Sequence, residues 1–104
     1  MPNYCQLFIS ATTEKEAEAI GRQLLKEKLI AGYLLLKGPS VFWWKGKITK
    51  QLYYNIMAFS LLKNKPEIIS AVRKVTSESV PIISFSKIDG NKEFLSWINN
   101  SCRV

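Results

Sequence analysis

The side chains of this chain that could do chemistry are two thiols, a few carboxylates and a group of aromatics and lysines. Cys5 and Cys102 lie near opposite ends of the 104 residues. Two thiolates would suit a soft ion such as Cu(I), although a lone cysteine in a strand more often serves as a small buried hydrophobe. Glu67, Glu78 and Asp89 are too scattered to form a general acid–base pair. Trp43, Trp44, Tyr53 and Tyr54 could stack on a flat ligand or a base. The plainer role for such residues is core and subunit contact. Lys45, Lys47 and Lys63 could bind a phosphate or carboxylate, but no glycine-rich phosphate loop accompanies them. Thr76 and Ser79 have hydroxyls and no base to activate them.

One absence narrows the choice. The chain contains no histidine, so it lacks the commonest general base and the commonest transition-metal ligand. Ser-His-Asp and Cys-His nucleophile systems are excluded. No catalytic residue can be named, no cofactor is implied, and an enzyme is not expected.

The remaining composition describes an ordinary folded protein. Lys and Arg number 15 against 8 Asp and Glu, a net charge of +7. An excess of that size can signal nucleic acid. The lysines are nevertheless spread along the chain, and arginine, the better phosphate fork, occurs only at Arg22, Arg73 and Arg103. Nucleic acid is therefore an unfavoured partner. No run reaches the roughly 18 apolar residues of a membrane span. The opening Met1-Pro2-Asn3-Tyr4-Cys5-Gln6 has no basic region ahead of an apolar one. A cytoplasmic location with two reduced thiols is expected.

The elements that must position these groups follow from periodicity. Tyr4 to Ala11 alternates as a strand. Thr13 and Glu16 form a capping box that opens a helix, with Ala17, Ile20, Gly21, Leu24 and Lys28 on one stripe. Leu29 to Leu36 is nearly continuous in apolar character, the pattern of a central strand. Lys37-Gly38-Pro39-Ser40 breaks that run before Val41 to Trp44 resumes it. Lys45-Gly46-Lys47 makes a tight turn or bulge, and Leu52 to Leu62 forms another strand. Pro66 marks the first turn of a second helix, whose core side is Ile68, Ile69, Val72 and Val75. Ile82 to Lys87 gives a short strand, and Asp89-Gly90-Asn91 leads into a last helix with Phe94, Leu95, Trp97 and Ile98 buried.

The order βαββαβ plus a C-terminal helix predicts an α+β, ferredoxin-like split βαβ sandwich, one domain over residues 1–104. Its antiparallel sheet has helices on one face. The other face, with Phe8, Tyr33, Leu35 and the Tyr53-Tyr54 pair, is expected to need a partner. Neighbouring Trp43 and Trp44 point to opposite sides of a strand, so one core cannot cover both. Self-association with closed symmetry is the usual solution.

Five landmarks in order give the chain a resemblance to the CutA-type divalent-cation tolerance proteins over nearly its full length. They are Ala11-Thr12 before the Glu-rich helix, Leu29-Ile30-Ala31, the arm Ser40 to Ile48, Val80-Pro81-Ile82-Ile83, and Gly90-Asn91 followed by Phe94-Leu95, Trp97 and Ile98. The arm resembles that family's aromatic-x-Trp-x-Gly-Lys-Ile signature. The resemblance implies a homotrimer similar to the PII signalling proteins, linked to copper and other divalent cations. It implies an inter-subunit cleft drawn from Trp43, Trp44, Lys47, Tyr53, Lys63 and Glu78, and a trimer interface at Trp43, Trp44 and Tyr54.

The departures concern the cation site. Gly32 stands where that family commonly has a cysteine, and Thr76-Ser77-Glu78-Ser79 stands where it has His-Pro-Tyr-Glu. Thr49 to Tyr53 replaces an acidic stretch, and Phe59-Ser60 replaces Lys-Thr. The expectation is a non-enzymatic ligand-binding or regulatory scaffold with a degenerate metal site. Two alternatives stand beside it: a divalent-cation binder using Glu78, Asp89 or the cysteines, and a basic nucleic-acid-binding module. A small-molecule ligand or a protein partner would suit the first.

Overall fold

A computed structural model describes residues 2–103; Met1 and Val104 lie outside the described residues. The elements run β1 (Tyr4–Ile9), α1 (Glu14–Lys26), β2 (Gly32–Trp44), β3 (Lys47–Leu61), α2 (Lys65–Val75), β4 (Ile83–Ile88) and α3 (Lys92–Ser101), with a 3-10 turn at Leu62–Asn64. The strands form one antiparallel sheet in the order β2-β3-β1-β4. This is the ferredoxin-like arrangement. Among the described residues no helix is long and apolar enough to cross a membrane.

β1 lies between β3 and β4 and sets the core. Cys5, Leu7 and Ile9 are fully buried on one face, opposite Ser60, Ala58 and Ile56 of β3. α1 and α2 cover this face with Ala17, Ile20, Leu24, Ile68 and Val72. Gly21 belongs to the same stripe for a specific reason. A Cβ at Gly21 would meet the Tyr33 ring at 2.6 Å, so a side chain there would displace the ring from its place against the helix and its hydrogen bond to Glu18.

α1 begins with half of the expected capping box. The Glu16 amide donates to Thr13 Oγ1 at 3.1 Å, but the Glu16 carboxylate turns to the α2–β4 loop instead. Ser77 Oγ donates to it at 2.7 Å, and the Ser77 amide at 3.1 Å. Lys28, expected on the buried stripe, lies beyond the helix in the left-handed region with φ 57°. The Leu29 amide donates to the Leu24 carbonyl and the Lys28 amide to that of Leu25, each at 2.9 Å. These are the two bonds of a Schellman motif, with Leu24 and Leu29 both buried in the same core cluster.

The β2–β3 ribbon departs most from expectation. β2 is an edge strand, not a central one, and it runs unbroken through Lys37-Gly38-Pro39-Ser40. Lys45 and Gly46 have φ of 50° and 78°; they form a two-residue turn of the I′ kind, which pairs Trp44 with Lys47. Alternation from that hydrogen-bonded pair puts Pro39 at a non-bonded position, where the missing N–H costs nothing. β3 is correspondingly longer than the expected Leu52 to Leu62, and its pairing with β1 ends at Ile56. The rest of the ribbon projects as an arm from a protomer 44 Å long.

Parity corrects the expected open face. Tyr33 and Leu35 are cross-strand partners of Ala58 and Ile56, and with Tyr54 they pack against the helix-covered core. Phe8 and Tyr53 do alternate to the opposite face. That face is partly covered by α3, whose Phe94 lies edge-on to Phe59 with ring centroids 5.1 Å apart, beside Tyr4, Leu61 and Ile88. Trp97, expected to be buried, remains 44% exposed while packing against Phe59 and Phe94.

Candidate functional site

Tyr53 and Glu78 are far apart in sequence and adjacent in space. Tyr53, at the base of the arm, points to the face opposite the two covering helices, and Glu78 lies in the loop between α2 and β4. The Tyr53 hydroxyl donates to one carboxylate oxygen at 3.0 Å, and the Ser10 hydroxyl donates to the other at 2.8 Å. Thr76 Oγ1 accepts from the Glu78 amide at 3.1 Å, fixing the carboxylate's direction. Ser10 is itself locked in place, because its Oγ accepts from the Ile82 amide at 2.9 Å and its own amide donates to the Ile82 carbonyl at 3.1 Å. Burial pushes the Tyr53 hydroxyl above its ordinary pKa, helped by its bond to Glu78 and by that carboxylate's charge.

Ser10 escaped the sequence reading. A serine at the end of an apolar strand carries no local signal of a carboxylate 68 residues away.

The other candidates lie elsewhere in the protomer. Trp43 and Trp44 flank the arm's tip on opposite faces, 72% and 41% exposed. Lys47 is the cross-strand partner of Trp44, and Lys45 Nζ lies 5.8 Å from the Trp44 ring centroid. Tyr54 is half-buried against the core, with Lys37 Nζ 5.6 Å from its ring centroid. Lys63 follows the far end of β3, beside a shallow recess of about 400 Å³ with Asn3 and Leu62. Of the six cleft residues, one protomer therefore joins Tyr53 to Glu78 at the arm's base and sets Lys47 beside Trp44 at its tip, leaving Lys63 beyond the far end of β3.

The same protomer offers little to a divalent cation. Among the described residues, no three of Cys, Asp and Glu stand close enough to hold a metal. Both oxygens of Glu78 are occupied by hydroxyl donors. Cys5 and Cys102 are free and buried, and burial pushes both thiols upward, Cys5 to about 11. The residues present do not fit a built cation site within one chain.

The family model described as "CutA1 divalent ion tolerance protein" matches residues 5–101. The chain belongs to the CutA1 family. A divalent-cation tolerance protein CutA from Archaeoglobus fulgidus is 32% identical over 96 residues, covering 91% of this chain and 94% of the relative. Its counterpart from Thermotoga maritima is 28% identical, covering 91% and 95%. The solved A. fulgidus CutA structure, described as periplasmic, superposes with a TM-score of 0.91 at 31% identity over 94% of this chain and 97% of that one. The Thermus thermophilus CutA1 structure gives a TM-score of 0.92 at 22% identity, over 96% and 99%, a likeness of fold. The CutA1 relatives are named for divalent-cation tolerance, not for a catalysed reaction.

Proposed function

We propose that this CutA1 chain, acting as one domain over residues 1–104, is a non-enzymatic homotrimeric scaffold. Its inter-subunit clefts receive a small ligand or a protein partner, and its ancestral cation site is degenerate. The observation that carries this reading is the arm. Val41, Trp43 and Ile48 share one of its faces and are 64%, 72% and 67% exposed. Phe42 and Trp44 occupy the other. A soluble protomer gains nothing by displaying such a surface to water, and large exposed apolar patches mark sites of association. Trp43, Trp44 and Tyr54 then form the interface. Trp43, Trp44, Lys47, Tyr53 and Glu78 line the cleft, and Lys63 is supplied by a neighbouring subunit.

The cation reading is weakened by the occupied Glu78 oxygens and by Gly32, Thr76 and Ser77, none of which supplies a cysteine or imidazole ligand. Association with divalent cations therefore enters through the relatives' names and not through a ligand set in this chain, and copper in particular is named by neither. Two buried thiols suit a reducing cytoplasm; the A. fulgidus relative is described as periplasmic, and cell fractionation decides the compartment here.

A second reading rests on charge. From Lys28 through Pro66 the chain carries Lys28, Lys37, Lys45, Lys47, Lys50, Lys63 and Lys65 and no carboxylate. With the exposed indoles this suits a polyanion such as single-stranded nucleic acid. The two readings separate on one double variant. Replacing Trp43 and Trp44 with lysine is expected to give monomers by size-exclusion chromatography. Intact trimers would refute the association reading. Retained trimers that lose polynucleotide binding would favour the second.

A further inference from the structure

The two cysteines stand at the start of β1 and just after α3, nearly the whole chain apart, yet they share one neighbour. Cys5 is the cross-strand partner of Ser60. The Ser60 hydroxyl, whose proton goes to the Leu29 carbonyl, lies 3.8 Å from Cys102 Sγ. Both thiols are buried and free. We propose that Cys5 and Cys102 form an oxidation-dependent staple, an intramolecular disulfide that ties the C-terminal end of the chain to β1. One consequence of the proximity is that the Cys102 thiol is among the groups that raise the proton affinity of Cys5, after burial itself.

The closed structure also explains why the thiols stay reduced until challenged. Thiolates attack and thiols do not, and both sulfurs here hold their protons. Just past α3, the Cys102 amide donates to the Ile98 carbonyl at 3.1 Å, the Arg103 amide to the Lys28 carbonyl at 2.8 Å, and Asn64 Nδ2 to the Arg103 carbonyl at 3.5 Å. Cys102 is the thiol an oxidant reaches first, since it is 6% exposed against 0% for Cys5. Hydrogen peroxide is the oxidant the chemistry needs. Cys102 attacks its distal oxygen, giving a sulfenic acid and one water. Cys5 then attacks the sulfenic sulfur, forming the S–S bond and releasing a second water. The two thiols lose two protons and two electrons, and the peroxide is reduced to two waters.

The test uses the intact protein. Native protein is treated with hydrogen peroxide, unfolded in urea with a maleimide present, and weighed. The expected product takes up no maleimide, is about 2 Da lighter through loss of two hydrogens, and returns to two labelled thiols after dithiothreitol. Cys102→Ser is expected to leave Cys5 fully labelled after the same treatment. Should that variant fail to fold, the wild-type peptide map decides alone, by showing the Cys5 and Cys102 peptides linked. Two labelled thiols after oxidation, disulfide-linked pairs of chains, or added oxygen without a linked peptide would each overturn the proposal.

Discussion

Tyr53 donates its hydroxyl proton to Glu78 across 3.0 Å, joining the root of the β2–β3 arm to the α2–β4 loop. The same carboxylate takes the Ser10 hydroxyl at 2.8 Å. Arm, β1 and loop are thus held by one charged acceptor. Hydrogen bonds to charged groups are stronger than neutral ones, and partial exposure here keeps the net value near about 1–2 kcal/mol. Tyr53→Phe and Glu78→Gln are each expected to cost about that much by urea denaturation. In a double-mutant cycle their effects should fall short of additive by about 1 kcal/mol. Strict additivity would show that the bond does not form in solution.

Gly21→Ala tests the close approach of α1 to the sheet. On helix propensity alone the change should stabilise by about 1 kcal/mol. The Tyr33 ring at 2.6 Å from the new Cβ reverses the sign, and a loss of about 1–3 kcal/mol is expected. In a Tyr33→Ala background the same change should become neutral or stabilising. Thermal melts of the four proteins give the answer.

Two positions with positive φ should respond in opposite directions. Lys28, at 57°, closes the Schellman motif with a residue that is strained there; Lys28→Gly is expected to stabilise by about 0.5–1 kcal/mol. Gly46, at 78° in the arm's turn, has open space around it, so Gly46→Ala should cost about 1 kcal/mol through backbone strain alone. Equal and opposite shifts in the urea midpoint would fit; two shifts of the same sign would not.

Cys5 gives the fold an alkaline limit. Its thiol is pushed from 9.0 to about 11, by burial first and then by the Cys102 charge, with the Ser60 backbone acting against both. Folding therefore favours the protonated form. The associated stability is fully present below pH 9.0 and is lost as pH rises toward about 11. The loss should be about 2–3 kcal/mol. Wild type minus Cys5→Ala, followed by urea denaturation from pH 8 to 11, should show that difference; a flat difference would refute it.

The sequence carried the element order and the sheet's connectivity, because Thr13, Pro66 and the Asp89-Gly90-Asn91 turn are strong local signals and the apolar periods are long. It was weaker on which face a side chain takes. Tyr53 and Tyr54 look alike in sequence, yet alternation sends one toward Glu78 and the other into the core; a strand's parity is fixed only by its register with its neighbours. The apolar run from Leu29 imitated a central strand because its edge position is visible only in three dimensions, and Pro39 fits that edge without interrupting it. In the candidate site, Glu78 was legible from the resemblance and Tyr53 from its place in the arm. Their contact, and the part played by Ser10, arise from tertiary packing between residues with no local pattern in common.

Whether protomers join through the arm is read from native mass spectrometry of the wild-type protein. The spectrum is taken alone and during titration with Cu(II) and Zn(II). The expected result is a species with the mass of three chains that gains no stoichiometric metal. A monomer would contradict the role given to Trp43 and Trp44, and one ion per subunit would contradict the degenerate cation site.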